Sequence, residues 1–262
     1  MKKVVPYLFV VLFVVGAIVL IVVGGVRSSN LKYVCLEVNP RIEFLTDRKD
    51  RVQSVKPLNA EAKELIINED FVGLTMKEAC DKFLTLCAKS GYIKVDSKAN
   101  AVKVSVLSGF NQSLEVDLYQ TINKFYVDNN IYGVVVDSSQ DLQQYKDAKK
   151  MGVNSEKYDL MMAVKESNPN LELKDLKKLS NRKLINKIKE SHDKYNFEYS
   201  ETELNNKVKL LDFYRTIYEN HKERITDEST RLFKENLKKY REENTKNYKL
   251  DYNETYNEWL FG

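Results

Sequence analysis

The fold is decided by the stretch Tyr33-Val34-Cys35-Leu36-Glu37-Val38-Asn39-Pro40-Arg41-Ile42-Glu43-Phe44, in which two strand-like runs meet at an Asn-Pro dipeptide. Residues 31–38 carry apolar side chains on both faces of an extended chain, which is typical of a strand inside a sheet. Residues 41–45 and 51–55 also have the composition of strands, and the polar loop 46–50 separates them. This order predicts a three-stranded meander.

Helices and strands alternate downstream of the meander. Thr75-Met76-Lys77-Glu78 has the spacing of a capping box and begins an amphipathic helix that ends near Gly91. Residues 101–107 and 131–136 are predicted strands, with a second helix between them. The apolar positions of the helices are Met76, Ala79, Cys80, Phe83, Leu84 and Cys87 in the first and Leu114, Leu118, Ile122 and Phe125 in the second. We predict an α/β fold over residues 28–152, a mixed sheet packed with helices as a sandwich.

The last third of the sequence differs in composition from the rest. Between Pro169 and Gly262 there is neither proline nor glycine, which predicts an all-helical C-terminal region. We divide it into a helical extension at 153–195 and a charged helical region at 200–262. In the latter, apolar residues keep helical spacing without a strict heptad, which indicates an ordinary packing face. They are Leu204, Val208, Leu211, Tyr214 or Ile217, and Tyr218.

Residues 4–26 form the most apolar run of the chain and contain no charge. As a helix this run spans about 34 Å, enough to cross a bilayer core. Lys2 and Lys3 precede it, so residues 1–3 are predicted to be a cytoplasmic stub and the bulk of the chain extracytoplasmic, held to the cell membrane by a single pass. A cleavable secretory signal is the alternative. Its apolar region would be shorter, about 7–15 residues, and Gly24-Gly25 is a poor cleavage site.

Composition excludes several function classes. Without Lys2, Lys3 and Arg27, the 42 basic and 38 acidic residues leave a net charge near +1, so nothing suggests a nucleic-acid partner. Cys80 and Cys87 are too far apart along a helix to form a disulfide, which favours buried, unbridged cysteines.

Signals for enzyme chemistry are also weak. His192 and His221 are the only histidines and fall on charged predicted helices, which argues against a metal site or a His-based triad. There is no phosphate-binding glycine loop and no Cys-x-x-Cys motif, so no cofactor or metal is expected. We do not expect an enzyme, beyond at most a single self-cleavage.

The Asn39-Pro40 dipeptide is the most informative chemical site. Because proline has no N–H, the usual attack by the following amide nitrogen on the asparagine side chain is closed. The Asn39 side-chain nitrogen can instead attack its own backbone carbonyl and expel the Pro40 nitrogen, if the fold strains or positions the bond. The structural alternative is that Pro40 begins a strand or shapes a bulge. Asn168-Pro169 is an internal control that resembles a turn between helices.

The stretch 33–44 resembles the extracytoplasmic, middle domain of RsgI-type anti-sigma factors. The similarity continues through Asp47-Arg48, Arg51-Val52, Pro57-Leu58-Asn59, Gly73-Leu74-Thr75 and Asn100-Ala101-Val102. The resemblance implies a transmembrane signal transducer whose cytoplasmic domain holds a sigma factor and whose outer domain cuts itself at an Asn-Pro bond. Asn39 would then be the self-cleaving residue and Pro40 the new N-terminus. The first strand would stay docked until a stimulus separates the pieces and membrane proteases act.

Three features depart from this pattern. Arg41 stands where the family often has a small residue, and Glu37 where it tends to have aspartate. Only three residues precede the apolar run, so we expect this chain to lack the sigma-binding domain. The alternative is a non-cleaving cell-surface module that binds an unidentified ligand through its helical tail. A small-molecule sensor is a third possibility, without a polar cluster in the sequence to support it.

Overall fold

A computed structural model describes residues 31–107, 112–137 and 142–248 of the chain. The predicted membrane-spanning run 4–26 lies outside the described residues, as does the end of the charged C-terminal region. Among the residues that are described, no helix is both long and apolar enough to cross a membrane.

One mixed five-stranded sheet forms the centre of the fold. Its strands lie in the order β3-β2-β1-β4-β5. The strands are β1 (Lys32–Glu37), β2 (Arg41–Thr46), β3 (Val52–Pro57), β4 (Asn100–Leu107) and β5 (Gly133–Asp137). β1 pairs antiparallel with both β2 and β4, whereas β4 and β5 are parallel. The predicted meander and the internal position of its first strand are therefore confirmed.

Helices follow the strands and dominate the C-terminal part. They are α1 (Ala60–Leu65), α2 (Met76–Lys89), α3 (Gln112–Asp128), α4 (Leu142–Met151), α5 (Ser155–Ser167), α6 (Leu173–Leu176), α7 (Asn181–Lys194), α8 (Glu201–Glu223) and α9 (Asp227–Tyr248). This confirms the α/β fold with a helical C-terminal region. The predicted capping box is also present, because Thr75 and Glu78 exchange side-chain and backbone hydrogen bonds at the start of α2.

The larger apolar core lies between one face of the sheet and helices α1, α2 and α3. The predicted apolar positions of α2 and α3 are buried in it. Phe44 of β2 packs edge-on against Phe71, with ring centroids 5.6 Å apart. A fully buried side chain of this kind contributes about 1.5–3 kcal/mol, so this core anchors the sheet.

The opposite face of the sheet is covered by α5, α6 and α7, with Tyr33, Cys35 and Leu45 facing these helices. Helices thus cover both faces, which fits the predicted sandwich. All three cysteines are buried and unbridged, as the sequence predicted.

α8 packs against α1 and α2, but the predicted apolar stripe describes its contacts only in part. Tyr218 is buried as expected, whereas Val208 and Ile217 are 45% and 43% exposed. Lys207 is buried in their place, because its ammonium group reaches the backbone carbonyl of Ile67, just after α1. A long polar side chain can follow an apolar surface to a buried acceptor, which periodicity does not reveal.

Candidate functional site

The Asn-Pro dipeptide lies in the tight turn between β1 and β2. Glu37 pairs with Arg41 as the last residue pair of the two strands, which leaves Val38, Asn39 and Pro40 as the connection. The Val38 N–H donates to the Pro40 carbonyl at 2.9 Å and closes the turn. Asn39 is exposed and Pro40 is buried, so the bond between them marks the boundary between solvent and the sheet.

Asn39 has a left-handed backbone, with φ of 68°. Asparagine enters this region more readily than most residues, but a residue before proline favours extended conformations. Residues held in such sparsely populated regions carry about 1–3 kcal/mol of strain. The peptide bond that the sequence analysis singled out is therefore attached to a strained residue.

Asn59 holds the Asn39 side chain from the other end of the meander. Its Nδ2 donates to Asn39 Oδ1 at 3.3 Å. Its own Oδ1 accepts from the backbone N–H of Arg41 at 3.0 Å and from that of Ala62 at 3.1 Å. One amide therefore caps α1, fixes the residue after Pro40 and orients the Asn39 carboxamide.

Arg41 fixes the other side of the turn. Its backbone carbonyl accepts from the Leu58 N–H at 2.9 Å, and its guanidinium group binds Glu166 of α5 at 2.7 Å. Glu37 lies 3.6 Å from the same guanidinium group. The departures Glu37 and Arg41 noted in the sequence thus form one ion pair beside the dipeptide.

Asn168-Pro169 lies in a different environment. Asn168 ends α5 with φ of −140°, and both residues are exposed in the turn before α6. This agrees with the predicted turn between helices. The chain therefore contains two Asn-Pro bonds, of which the one at Asn39 has a left-handed backbone.

A cavity of about 300 Å³ lies beside the turn, between the sheet and α5, with Cys35 and Arg41 among its lining residues. Burial raises the pKa of Cys35 to about 12. The thiol is therefore protonated at neutral pH and is a poor nucleophile.

His192 of α7 forms a separate buried polar line with the sheet. Its Nδ1 lies 2.9 Å from Ser54 Oγ and its Nε2 lies 3.0 Å from Glu43 Oε1. Lys56 Nζ is 3.7 Å from the same carboxylate oxygen. The side chains of His192 and Glu43 are each 1% exposed, so these hydrogen bonds attach α7 to the sheet. A substrate would have little access to them.

Metal binding has no support in the described part of the chain. No group of three or more His, Cys, Asp or Glu side chains there is placed to hold a metal ion. His221 lies apart from His192 and contacts the Asn129 carbonyl at 2.7 Å through its Nε2.

Comparison with protein families identifies the family of the domain that contains the turn. A family model described as the anti-sigma factor RsgI-like central domain matches residues 31–163, slightly more than half of the chain. The chain belongs to the RsgI-like family. The matched region contains the whole sheet of this RsgI-like domain, together with Asn39, Pro40 and Asn59, and extends into α5.

Three anti-sigma-I factors of Acetivibrio thermocellus are similar to this RsgI-like chain. RsgI7 is 25% identical over 170 residues, RsgI3 is 29% identical over 85 residues and RsgI6 is 22% identical over 188 residues. These alignments cover 63%, 32% and 67% of this chain, but only 31%, 13% and 25% of the relatives. The similarity therefore spans less than a third of each relative.

Sequence reasoning identified the dipeptide of this RsgI-like domain but not the partner that holds it. In the sequence, Asn59 is noticeable only as part of the motif Pro57-Leu58-Asn59. Its position just before the helix-favouring run 60–65 is a recognisable N-cap signal. Its contact with Asn39 depends on the pairing of β2 with β3 and is not visible in local sequence.

Proposed function

We propose that this chain is the extracytoplasmic part of an RsgI-like anti-sigma factor that transmits a signal across the membrane and cuts itself once at Asn39-Pro40. The observation that carries the proposal is the left-handed Asn39, whose side-chain amide is held by Asn59 at 3.3 Å. Strain at the scissile residue raises the ground-state energy, and a fixed amide reduces the entropy lost on the way to attack. Family membership supports the same proposal.

All the atoms that form or break bonds in the reaction belong to Asn39 and Pro40. Asn39 Nδ2 forms a bond to the Asn39 backbone carbonyl carbon, and the bond from that carbon to the Pro40 nitrogen breaks. The proton lost from Nδ2 is balanced by the proton gained by the leaving proline nitrogen. The products are a succinimide at the end of the first fragment and a free secondary amine at Pro40.

Cleavage alone would not separate the fragments. β1 remains hydrogen-bonded to β2 on one side and to β4 on the other, and its apolar side chains stay buried in both cores. In this proposal, residues 4–26 are a single-pass anchor with residues 1–3 in the cytoplasm. Residues 28–152 are the outer domain, 153–195 a helical extension and 200–262 a charged helical region. Strand release then exposes the anchored stub to membrane proteases. Their cutting in turn frees a sigma factor.

The first test is the intact mass of the full chain in detergent under denaturing conditions. We expect a fragment that begins at Pro40 in the unaltered chain and none in Asn39→Ala. Asn168→Ala is the matched control, since it removes the other Asn-Pro pair, and its fragment pattern should equal that of the unaltered chain. An uncut unaltered chain, or a Pro40 fragment that persists in Asn39→Ala, would exclude the proposal.

The same spectrum separates cyclisation from hydrolysis. Cyclisation consumes no water, so a freshly formed first fragment should be lighter by one water molecule than a fragment that ends in an ordinary asparagine carboxylate. If only the carboxylate form appears at the earliest times, a water molecule is the nucleophile and the role of Asn39 Nδ2 is wrong.

A non-cleaving surface-binding module is the second candidate. It is favoured by the apolar side chains that the C-terminal helices leave exposed outside the matched region, among them Phe213 at 64% and Leu232 at 45%. An uncut chain with a full-length mass would support this candidate over the first.

A further inference from the structure

Asn59, which binds the Asn39 side chain, is also the N-cap residue of α1. Asn59 caps α1 through Ala62 and binds Asn39 with the other end of the same amide. The contact with Asn39 measures 3.3 Å, close to the distance at which a hydrogen bond is lost. A small displacement of α1 would therefore release the carboxamide of Asn39.

α1 is only six residues long and is held from outside by the N-terminal half of α8. Lys63 of α1 binds Glu203 at 2.8 Å, and Asn206 donates to Glu64 at 3.1 Å. Such a short helix is not stable without tertiary contacts, so these bonds matter for its position.

The segment that leaves α1 is held by the same part of α8. Lys207 is 6% exposed and donates to the Ile67 carbonyl and to the Glu69 carboxylate, the latter at 2.9 Å. Tyr199, just before α8, donates to Asn68 at 3.0 Å. Removing this buried charged donor takes the side-chain partner from the Ile67 carbonyl, whereas Glu69 keeps Lys82 at 3.1 Å.

α8 is itself fixed to the rest of the domain. Tyr218 donates to Asn129 at 2.6 Å at the end of α3. Tyr214 lies over Gly91, where an added Cβ would approach the Tyr214 ring to 2.5 Å. Ser200 and Glu203 form a capping box at the start of the helix. α8 is therefore held by the rest of the domain while it contacts α1.

We infer that residues 199–207, which lie beyond the part of the chain matched by the family model, are a positioning element for the Asn39-Pro40 turn, acting through α1 and Asn59. The inference rests on the proposed self-cleavage. Lys207 and Lys63 are its positioning residues, since neither touches the reacting atoms. In this chain the C-terminal helical region thereby sets how fast the turn is cut.

The test compares cleavage rates of Lys207→Met and Arg241→Met in the full chain. Arg241 is the matched control, because it is also a buried cation of the C-terminal helices that donates to a backbone carbonyl, that of Gly133 at 3.0 Å. We expect Lys207→Met to slow cleavage about tenfold or more, since an error of about an ångström in a reacting geometry has such effects. Arg241→Met should cleave within about twofold of the unaltered chain; equal rates for both variants overturn the inference.

A second pair of variants covers the case in which Lys207→Met does not fold. Lys63 is partly exposed, so Lys63→Met should fold and still loosen α1. We expect slower cleavage in Lys63→Met and recovery in Lys63→Arg, which keeps a cation opposite Glu203. A slow rate in Lys63→Met without recovery in Lys63→Arg overturns the inference.

Amide exchange separates this inference from the proposed function. The Arg41 N–H donates to Asn59, so its exchange reports the position of Asn59 whether or not the chain is cut. If the unaltered chain is uncut, self-cleavage fails, and faster Arg41 exchange in Lys207→Met than in Arg241→Met still supports the coupling. Equal exchange in the two variants overturns it.

Discussion

Asn59 Nδ2 donates to Asn39 Oδ1 at 3.3 Å across the β1–β2 turn, although the two residues lie 20 positions apart in sequence. The bond fixes the amide that attacks in the proposed reaction. It also leaves the Asn39 side-chain nitrogen, rather than the oxygen, as the end not engaged by Asn59. Asn59 binds Asn39 through its Nδ2 and caps α1 through its Oδ1, so the two roles use different atoms.

Asn59→Ala should slow cleavage by about 10- to 100-fold, because the attacking amide loses its fixed orientation. Loss of the cap should cost about 1 kcal/mol of stability. Asn154→Ala is the matched control, since Asn154 caps α5 by accepting from the Lys157 N–H at 2.9 Å. It should lose similar stability and cleave normally. Equal cleavage by the two variants would argue against a role for Asn59 in the reaction.

Replacing Asn39 tests the strain at the turn. Asn39→Gly removes the nucleophile but tolerates positive φ, so it should stay uncut and serve as the unstrained reference for the free energy of unfolding. Asn39→Ala should be uncut and less stable than the glycine variant by about 1–2 kcal/mol. Denaturant titration of the two uncut variants measures this difference, and equal stabilities would mean that the turn is not strained.

The buried line through His192 should contribute to stability and not to cleavage. His192→Ala removes the imidazole that contacts the buried Glu43 carboxylate, and a buried acceptor that loses its hydrogen-bond partner costs up to about 3 kcal/mol. His221→Ala, whose ring contacts one backbone carbonyl, should cost about 1 kcal/mol. Urea unfolding of both variants in an Asn39→Gly background gives the comparison. A smaller loss for His192→Ala than for His221→Ala would contradict this assignment.

The contact between α1 and α8 should weaken in acid. The hydrogen bond from Lys63, followed by those from Ser200, lowers the pKa of Glu203 from 4.5 to about 2. Because the folded-state pKa lies below the unfolded one, the stabilisation is complete above pH 4.5 and is lost as the pH falls toward 2. Thermal unfolding of Glu203→Gln should depend less on pH across this window than that of Glu78→Gln, which alters the other capping box. A pH profile of Glu203→Gln that matches the profile of the unaltered chain would show that the pair does not contribute.

Thiol labelling should report strand release. Burial raises the pKa of Cys35 to about 12 and also raises the pKa values of Cys80 and Cys87, so none should react in the folded chain at neutral pH. After cleavage, release of β1 should make Cys35 reactive first, because it lies on the departing strand. Mass spectrometry of labelled fragments distinguishes the three thiols. Early labelling of Cys80 would indicate general unfolding instead.

Elements whose signals lie within a few neighbouring residues were predictable from the sequence. The Thr75 capping box, the apolar spacing of α2 and the alternation in β4 each predicted what the structure contains, because a helix cap and a half-buried face are determined within a few residues. The internal position of β1 was also predictable from its doubly apolar pattern.

Contacts between distant segments were not predictable in this way. Lys207 fell between apolar positions of a helical pattern, yet it is buried because a carbonyl acceptor about 140 residues earlier in the chain faces it. Likewise, nothing near His192 in sequence indicates that Ser54 and Glu43 meet its ring. Such pairs depend on sheet register and helix docking, which periodicity alone does not fix.

The central position of β1 has a mechanical consequence. A pull on residue 31 acts along the strand, and both the β2 and the β4 ladders resist it. The load is then shared in shear by many hydrogen bonds, whereas a strand at the sheet edge that is peeled away loses them one at a time. Optical-trap pulling on cut molecules should therefore give a sharp rupture force. We expect a cut domain of this kind to keep β1 bound during thermal fluctuations and to release it under tension.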